Sequence, residues 1–404
     1  MVVAVILGEL LLSWEAESAD LRMRWRYRLT PESGRRAHPD LALVAINNWT
    51  ESIFGRYGSG QWVSRRPFYD QLTFFERELR PKVLGYDIIF KQTSGRQNED
   101  IESVSDSPER IRRIIEALST VAVNSSETLR NSVLDEMNRF ASEQGRLFLA
   151  NRLASVRERN LFRPVLGYHF RGGEVDLQSV RIPPWSDEDV FGGTADGNED
   201  YGRRVPYLKD VAIPESDIHF SRASTVENYL YSRNAVLPET ELLDYSYLGA
   251  LNVPRDHESS VVRRVPLVLG FSYFNSVTGR TKKRFVPSFD LLCCLLHLGF
   301  EFPLKDNAVE VYFGKKLVIN SPSDGVFEVP VDEKGCMYLN FDARLEDFTT
   351  VSFAKVAPPP GLSDARREEL AKVCRPDIDG KLVMTGVTAT GVDVGATPIS
   401  SSIP

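Results

Sequence analysis

The chain has 404 residues, 42% of them hydrophobic and 10% aromatic, with 27 glycines and 23 prolines. That is enough apolar material for one large or two modest globular cores, and it excludes a disordered, collagen-like or low-complexity polypeptide. A formal net charge of −7 sets the surface as a whole against phosphate backbones, so general nucleic-acid binding is excluded as well.

The stretch from Val2 to Trp14 is apolar apart from Glu9 and Ser13. A bilayer span needs about 20 apolar residues, and a signal peptide needs a basic region ahead of its apolar run. Neither condition is met, so residues 1–28 read as the remnant of a membrane helix with its juxtamembrane segment; an ordinary buried helix is the alternative. Arg22, Arg24, Arg26 and Arg28 alternate there with Met23, Trp25 and Tyr27, a pattern suited to the headgroup level.

Leu41 to Ile46 is an unbroken apolar run, as expected of a strand buried on both faces. Between Arg66 and Arg80, Phe68, Leu72, Phe75 and Leu79 form one helical stripe that Pro81 closes. Val83 to Phe90 predicts a second buried strand, so the three elements make a βαβ unit with parallel strands. Residues 107–160 read as two charged helices separated near Asn124, with Leu129, Val133, Met137 and Phe140 on one face. Pro183 to Asp217, rich in Pro, Gly and acidic residues, reads as a long surface excursion.

Strand signals return at Val265 to Phe274 and from Phe285, suggesting a hairpin, and Ser288 can cap a helix that Gly299 ends. Short antiparallel strands are expected at 309–313, 316–319, 325–330 and 337–341, then a helix at 363–373 and a buried strand at 381–385. The fold class is therefore α/β: a central mixed sheet with a parallel βαβ core, added antiparallel strands and a helical insert.

Cys293 and Cys294 sit in an apolar run and read as small hydrophobes. A disulfide between Cys336 and Cys374 would suit an oxidising compartment, but their spacing does not decide whether they meet. The five histidines are scattered without metal-ligand spacing, and neither a nucleophile elbow nor a P-loop occurs, so no catalytic residue, metal ligand or cofactor is assigned. The Asp87 carboxylate interrupts an apolar strand, where burial is costly unless the group is paired. It either braces the core, with Arg65 as a partner, or faces a ligand cleft. Ligands of open parallel sheets sit beyond the carboxyl ends of the strands. That rule nominates the Asn47-Asn48 end, the Phe90 end and the loop from Thr388 to Asp393 as one rim, and the candidate ligand-binding residues are Asn47, Asn48, Arg65, Asp87, Thr388 and Asp393.

Several segments occur in an order that resembles a known family. They are Leu43-Val44-Ala45-Ile46-Asn47-Asn48, Arg65, Gly85-Tyr86-Asp87-Ile88-Ile89-Phe90, Asp256 through Arg263-Arg264-Val265-Pro266-Leu267, Tyr338-Leu339-Asn340-Phe341, and Asp379 through Asp393 with Thr397-Pro398. This pattern is similar to the second type of CHASE domain, the cyclase- and histidine-kinase-associated sensory extracellular module. The resemblance implies a sensor domain at residues 29–404 with an insert at about 91–255, and a location at the cell membrane with the domain itself periplasmic. It implies an extracytoplasmic sensory part of a bacterial signal-transduction receptor, not an enzyme, which regulates a cytoplasmic output domain such as a cyclase or kinase.

Its partners would be an unknown small-molecule or protein stimulus and the membrane, through flanking helices, with no nucleic acid; a homodimer is compatible with it. Asn47-Asn48 stands where the family commonly has acidic residues, so a site built on that pair would be altered here. Two other readings stand beside this one. The domain could serve only to dimerise or dock a partner protein, or it could be an α/β hydrolase or transferase that assembles a nucleophile and base from distant segments.

Overall fold

The structure is a computed structural model that describes residues 38–47, 50, 66–88, 90, 147–171, 208, 210–220, 231–232, 234–236, 238, 240–251, 263–275, 280–339, 348–358 and 362–387. The expectations for residues 1–28, for the 107–146 part of the two helices expected over 107–160, and for most of the 183–217 excursion lie outside them.

The first half of the chain supplies β1 (Leu41–Ile46), α1 (Arg66–Arg77), β2 (Val83–Asp87), a helix α2 over residues 147–158, and β3 (Arg163–Arg171). After a 3₁₀ turn (Glu215–Asp217) come β4 (Ile218–His219), β5 (Tyr231–Ser232), β6 (Asn234–Val236), the single turn α3 (Thr240–Leu243) and β7 (Tyr247–Ala250). Next are β8 (Arg264–Pro266), the hairpin of β9 (Val268–Asn275) and β10 (Arg280–Pro287), and α4 (Phe289–His297). The remainder is β11 (Val309–Tyr312), β12 (Lys316–Ser321), β13 (Gly325–Pro330), β14 (Cys336–Tyr338), β15 (Thr349–Ser352), α5 (Phe353–Val356), α6 (Asp364–Ile378) and β16 (Leu382–Val387).

A seven-stranded sheet organises the fold in the order β15-β1-β16-β2-β3-β6, with β7 also paired to β3. All its pairings are parallel except that of β3 with β6. The apolar runs at 41–46 and 83–87 are therefore parallel, as the βαβ reading expects, but they do not touch. β16 lies between them, with Leu41 opposite Leu382 and Leu382 opposite Val83. Continuous apolar strands suit this position because helices cover both faces of a parallel sheet.

On one face Phe68, Leu72 and Phe75 of α1 are fully buried, and Phe68 packs against Tyr86 and Phe353. On the other face lies α4, capped by Ser288, whose Oγ accepts from the Leu291 amide at 3.2 Å. Leu292, Cys293 and Leu296 of α4 join the core of the large sheet, whereas Leu291 and Leu295 join a second core with Val309, Val311 and Leu317. An apolar run without one-sided periodicity is what a helix between two cores requires.

The structure adds to the sequence reading at several points. The segment taken as a helical insert also carries β3, β6 and β7, which extend the main sheet. The described end of the 183–217 excursion is anchored: the Ile213 amide donates to the Phe285 carbonyl at 2.9 Å, and the buried Asp217 accepts from the Asn307 amide at 2.7 Å. The helix expected to stop at 373 continues to Ile378 through Pro376, because Ala371, Cys374 and Ile378 keep one buried stripe. Cys293 is buried as expected, but Cys294 on the next helical position is exposed. Cys336 and Cys374 are buried thiols in β14 and α6, not a bridged pair.

Candidate functional site

One row of register crosses the carboxyl rim of the large sheet. Ser352 pairs with Ala45, Ala45 with Gly386, and Gly386 with Asp87. Tyr86 pairs with Leu166, so the row continues through the next residue of β3, Gly167, which pairs with Gly249 of β7. Residues in one row share a face of the sheet, and here Asp87 is a lone carboxylate among Ser, Ala and three Gly. A Cβ on Gly167 would stand 2.3 Å from Cδ1 of Leu251, and one on Gly249 would stand 2.5 Å from Cα of Phe289, so these positions admit the loop after β7 and the amino end of α4. At Gly386 the neighbours among the described residues are the Cβ and Oδ2 of Asp87, at 3.6 and 3.7 Å, which is ordinary contact.

Asp87 itself is exposed. The expected burial of its carboxylate is overturned because β2 ends at this residue, beyond the enclosed part of the strand. Beneath the rim, on the α1 face, lies a buried polar bridge: the Tyr86 hydroxyl donates to Gln71 Oε1 at 2.9 Å, and Gln71 Nε2 donates to Thr385 Oγ1 at 3.3 Å. Burial pushes the Tyr86 phenol well above its ordinary pKa, so it stays a neutral donor. Asn47 closes the end of β1. Its Oδ1 accepts from both the amide and the hydroxyl of the buried Thr50, each at 3.0 Å, and the Thr50 hydroxyl lies 3.4 Å from that of Ser352. The Asn47 carbonyl is thus committed to the turn. Asn48, Arg65, Thr388 and Asp393 lie outside the described residues.

A family model of the CHASE2 domain matches residues 1–404, the whole chain. The chain belongs to the CHASE2 domain family. No curated protein and no solved structure matches it significantly. CHASE2 is a family of extracellular sensory domains, and the mixed α/β architecture with a parallel core is the fold this member adopts.

The Cys293 thiol is pushed well above its ordinary pKa, first by burial and then by the charges of Asp290, Cys294 and Asp87, so it stays protonated. Among the described residues of this CHASE2 domain, no cluster of His, Cys, Asp or Glu could hold a metal, and no helix is long and apolar enough to cross a membrane. Sequence reasoning missed a cavity of about 230 Å³ at the opposite, amino-terminal edge of β3 and β7, lined in part by Arg157, Arg163, Tyr247 and Phe302. The only trace of it in the sequence is the density of arginines at 152, 157, 159 and 163, which reads equally well as the solvated face of a charged helix.

Proposed function

We propose that this CHASE2 domain is the extracytoplasmic sensory part of a membrane-bound bacterial receptor and that it regulates a cytoplasmic output domain. The observation that carries the reading is the family match across residues 1–404. The sheet supports it. β1 and β16, the first and last strands described, are hydrogen-bonded neighbours over six register pairs, so a shift of either is felt directly by the other. A stimulus would act by binding one arrangement of these strands better than another. Its place is the rim around Asp87 and Asn47, with Asn48, Arg65, Thr388 and Asp393 as further members.

Partner docking without a small molecule is the competing reading. Among the described residues the exposed large apolar side chains are Phe148, Phe220, Val326, Phe327, Tyr338 and Val373, of which only Val326 and Phe327 share an element, and this scatter favours the sensor. The test is to replace Asp87 by Asn, and separately Asp393 by Asn, in the full receptor and to measure its output. An altered response in a normally folded protein is expected; an unchanged response from both variants rejects the rim.

A further inference from the structure

The cavity at the amino-terminal edge of β3 and β7 is separate from the rim. Arg163 opens β3 opposite Val83, at the far end of β2 from Asp87, and Tyr247 opens β7. The cavity holds about 230 Å³, below the range of about 300–1,000 Å³ typical of drug-sized sites, and so fits a small metabolite.

Two guanidinium groups and one carboxylate, that of Glu301, line it. Neither arginine has a carboxylate partner among the described residues. Arg163 donates from Nη1 to the carbonyls of Leu296 and Phe300, at 3.2 and 2.6 Å, which fixes its position and leaves its other nitrogens without a partner among the described residues. Arg157 donates to the Asp244 carbonyl at 2.6 Å and lies 5.9 Å from the centre of the Tyr247 ring. Tyr247 in turn packs against Phe302, with ring centres 5.7 Å apart, and forms an aromatic wall beside the two cations. Against Glu301, the pair leaves one positive charge uncompensated among the described lining residues. A fixed guanidinium edge is the donor geometry that matches a carboxylate, and an aromatic wall beside it accepts a flat apolar body.

We propose that this cavity binds a small monocarboxylate with a planar apolar body. The carboxylate is held between Arg157 and Arg163, and the body lies against Tyr247 and Phe302. The inference does not depend on the rim, because it concerns binding by the chain alone rather than receptor output.

The test is calorimetric titration of the full chain with phenylacetate, with phenylacetamide and inorganic phosphate as controls, repeated on Arg157→Met. Arg157 is exposed, so this variant removes the charge without opening the core. A circular-dichroism melt confirms that it folds. Saturable binding of phenylacetate, weakened about tenfold or more in Arg157→Met and absent with phenylacetamide, is expected from loss of a charge-assisted contact. The proposal is overturned if phenylacetate fails to bind saturably, if the folded variant binds it unchanged, or if the amide or phosphate binds as tightly.

Discussion

Gly249 lies so close beneath Phe289 that a methyl group on it would stand 2.5 Å from the Phe289 Cα, a backbone atom that cannot swing aside. The amino end of α4 rests on the sheet because this glycine has no side chain. Gly249→Ala should therefore force α4 off the sheet and destabilise the domain by about 1–3 kcal/mol, the usual cost of overpacking a core. Gly386→Ala, in the same register row, meets among the described residues only ordinary contacts, the nearest at 3.6 Å, and should change stability by less than about 0.5 kcal/mol. Urea denaturation of both variants checks the contrast, and equal losses would mean that the helix approach is not what constrains Gly249.

Glu76 on α1 is almost fully buried and forms ion pairs with Arg152 of α2 and with Arg159 just beyond it. The Ser155 hydroxyl adds a hydrogen bond at 3.3 Å, and Arg152 also donates to the Tyr69 hydroxyl at 3.0 Å. Removing one partner of such a set strands the opposite charge, so Glu76→Ala should cost about 3–5 kcal/mol. Arg159→Met should cost less, because that side chain is 57% exposed and is already solvated in part. Denaturant midpoints of the two variants give the comparison.

His297 at the carboxyl end of α4 predicts a pH dependence. Burial first, and then the charge of Lys82, lower its pKa, and His38 acts in the same direction, whereas Asp40 and Asp324 oppose them. Its Nδ1 is buried without a hydrogen-bond partner among the described residues, and its Nε2 lies 4.0 Å from Asp40. The folded chain therefore takes up this proton at a lower pH than the unfolded chain does. Its contribution is complete above the ordinary histidine range of about 6.5 and is lost as the pH falls through and below it. Melting temperatures from about pH 7.5 to pH 5.5 should fall more steeply for the native chain than for His297→Gln. Parallel curves would assign the acid sensitivity elsewhere.

Ser288→Ala removes the acceptor for the Leu291 amide at the start of α4 and should cost about 1 kcal/mol. Ser288→Asp should restore most of that, since an acidic cap also suits the helix amino terminus. A thermal melt of the two variants distinguishes lost capping from lost packing.

The strands at 41–46 and 83–87, the helix stripe ending near Pro81, the hairpin before Ser288 and the capped helix after it could all be read from local pattern, because each carries its own periodicity or stop signal. β3 and β7 could not. β3 begins Arg163-Pro164 and contains Gly167, and both residue types argue against a strand until one sees that the glycine admits Leu251. At the site, Asp87 stands out in the sequence as a carboxylate within an apolar run. Its exposure follows from where β2 ends, a boundary that composition does not mark. Asn47 is placed at the rim by the sequence, but that its oxygen serves a turn whose other member, Thr50, lies against Ser352 some 300 positions away is visible only in the fold. The arginine pair of the amino-terminal cavity is brought together with Phe302 and Glu301 only by tertiary packing.

The placement of β16 has a consequence for biogenesis. β16, the strand that joins β1 to β2, is translated after every other described strand, so until it emerges the two early strands offer each other no partner and present bare edges. A nascent chain stopped before Leu382 would be unable to assemble its central layer. Its survival would depend on chaperones that shield those edges until the closing segment arrives.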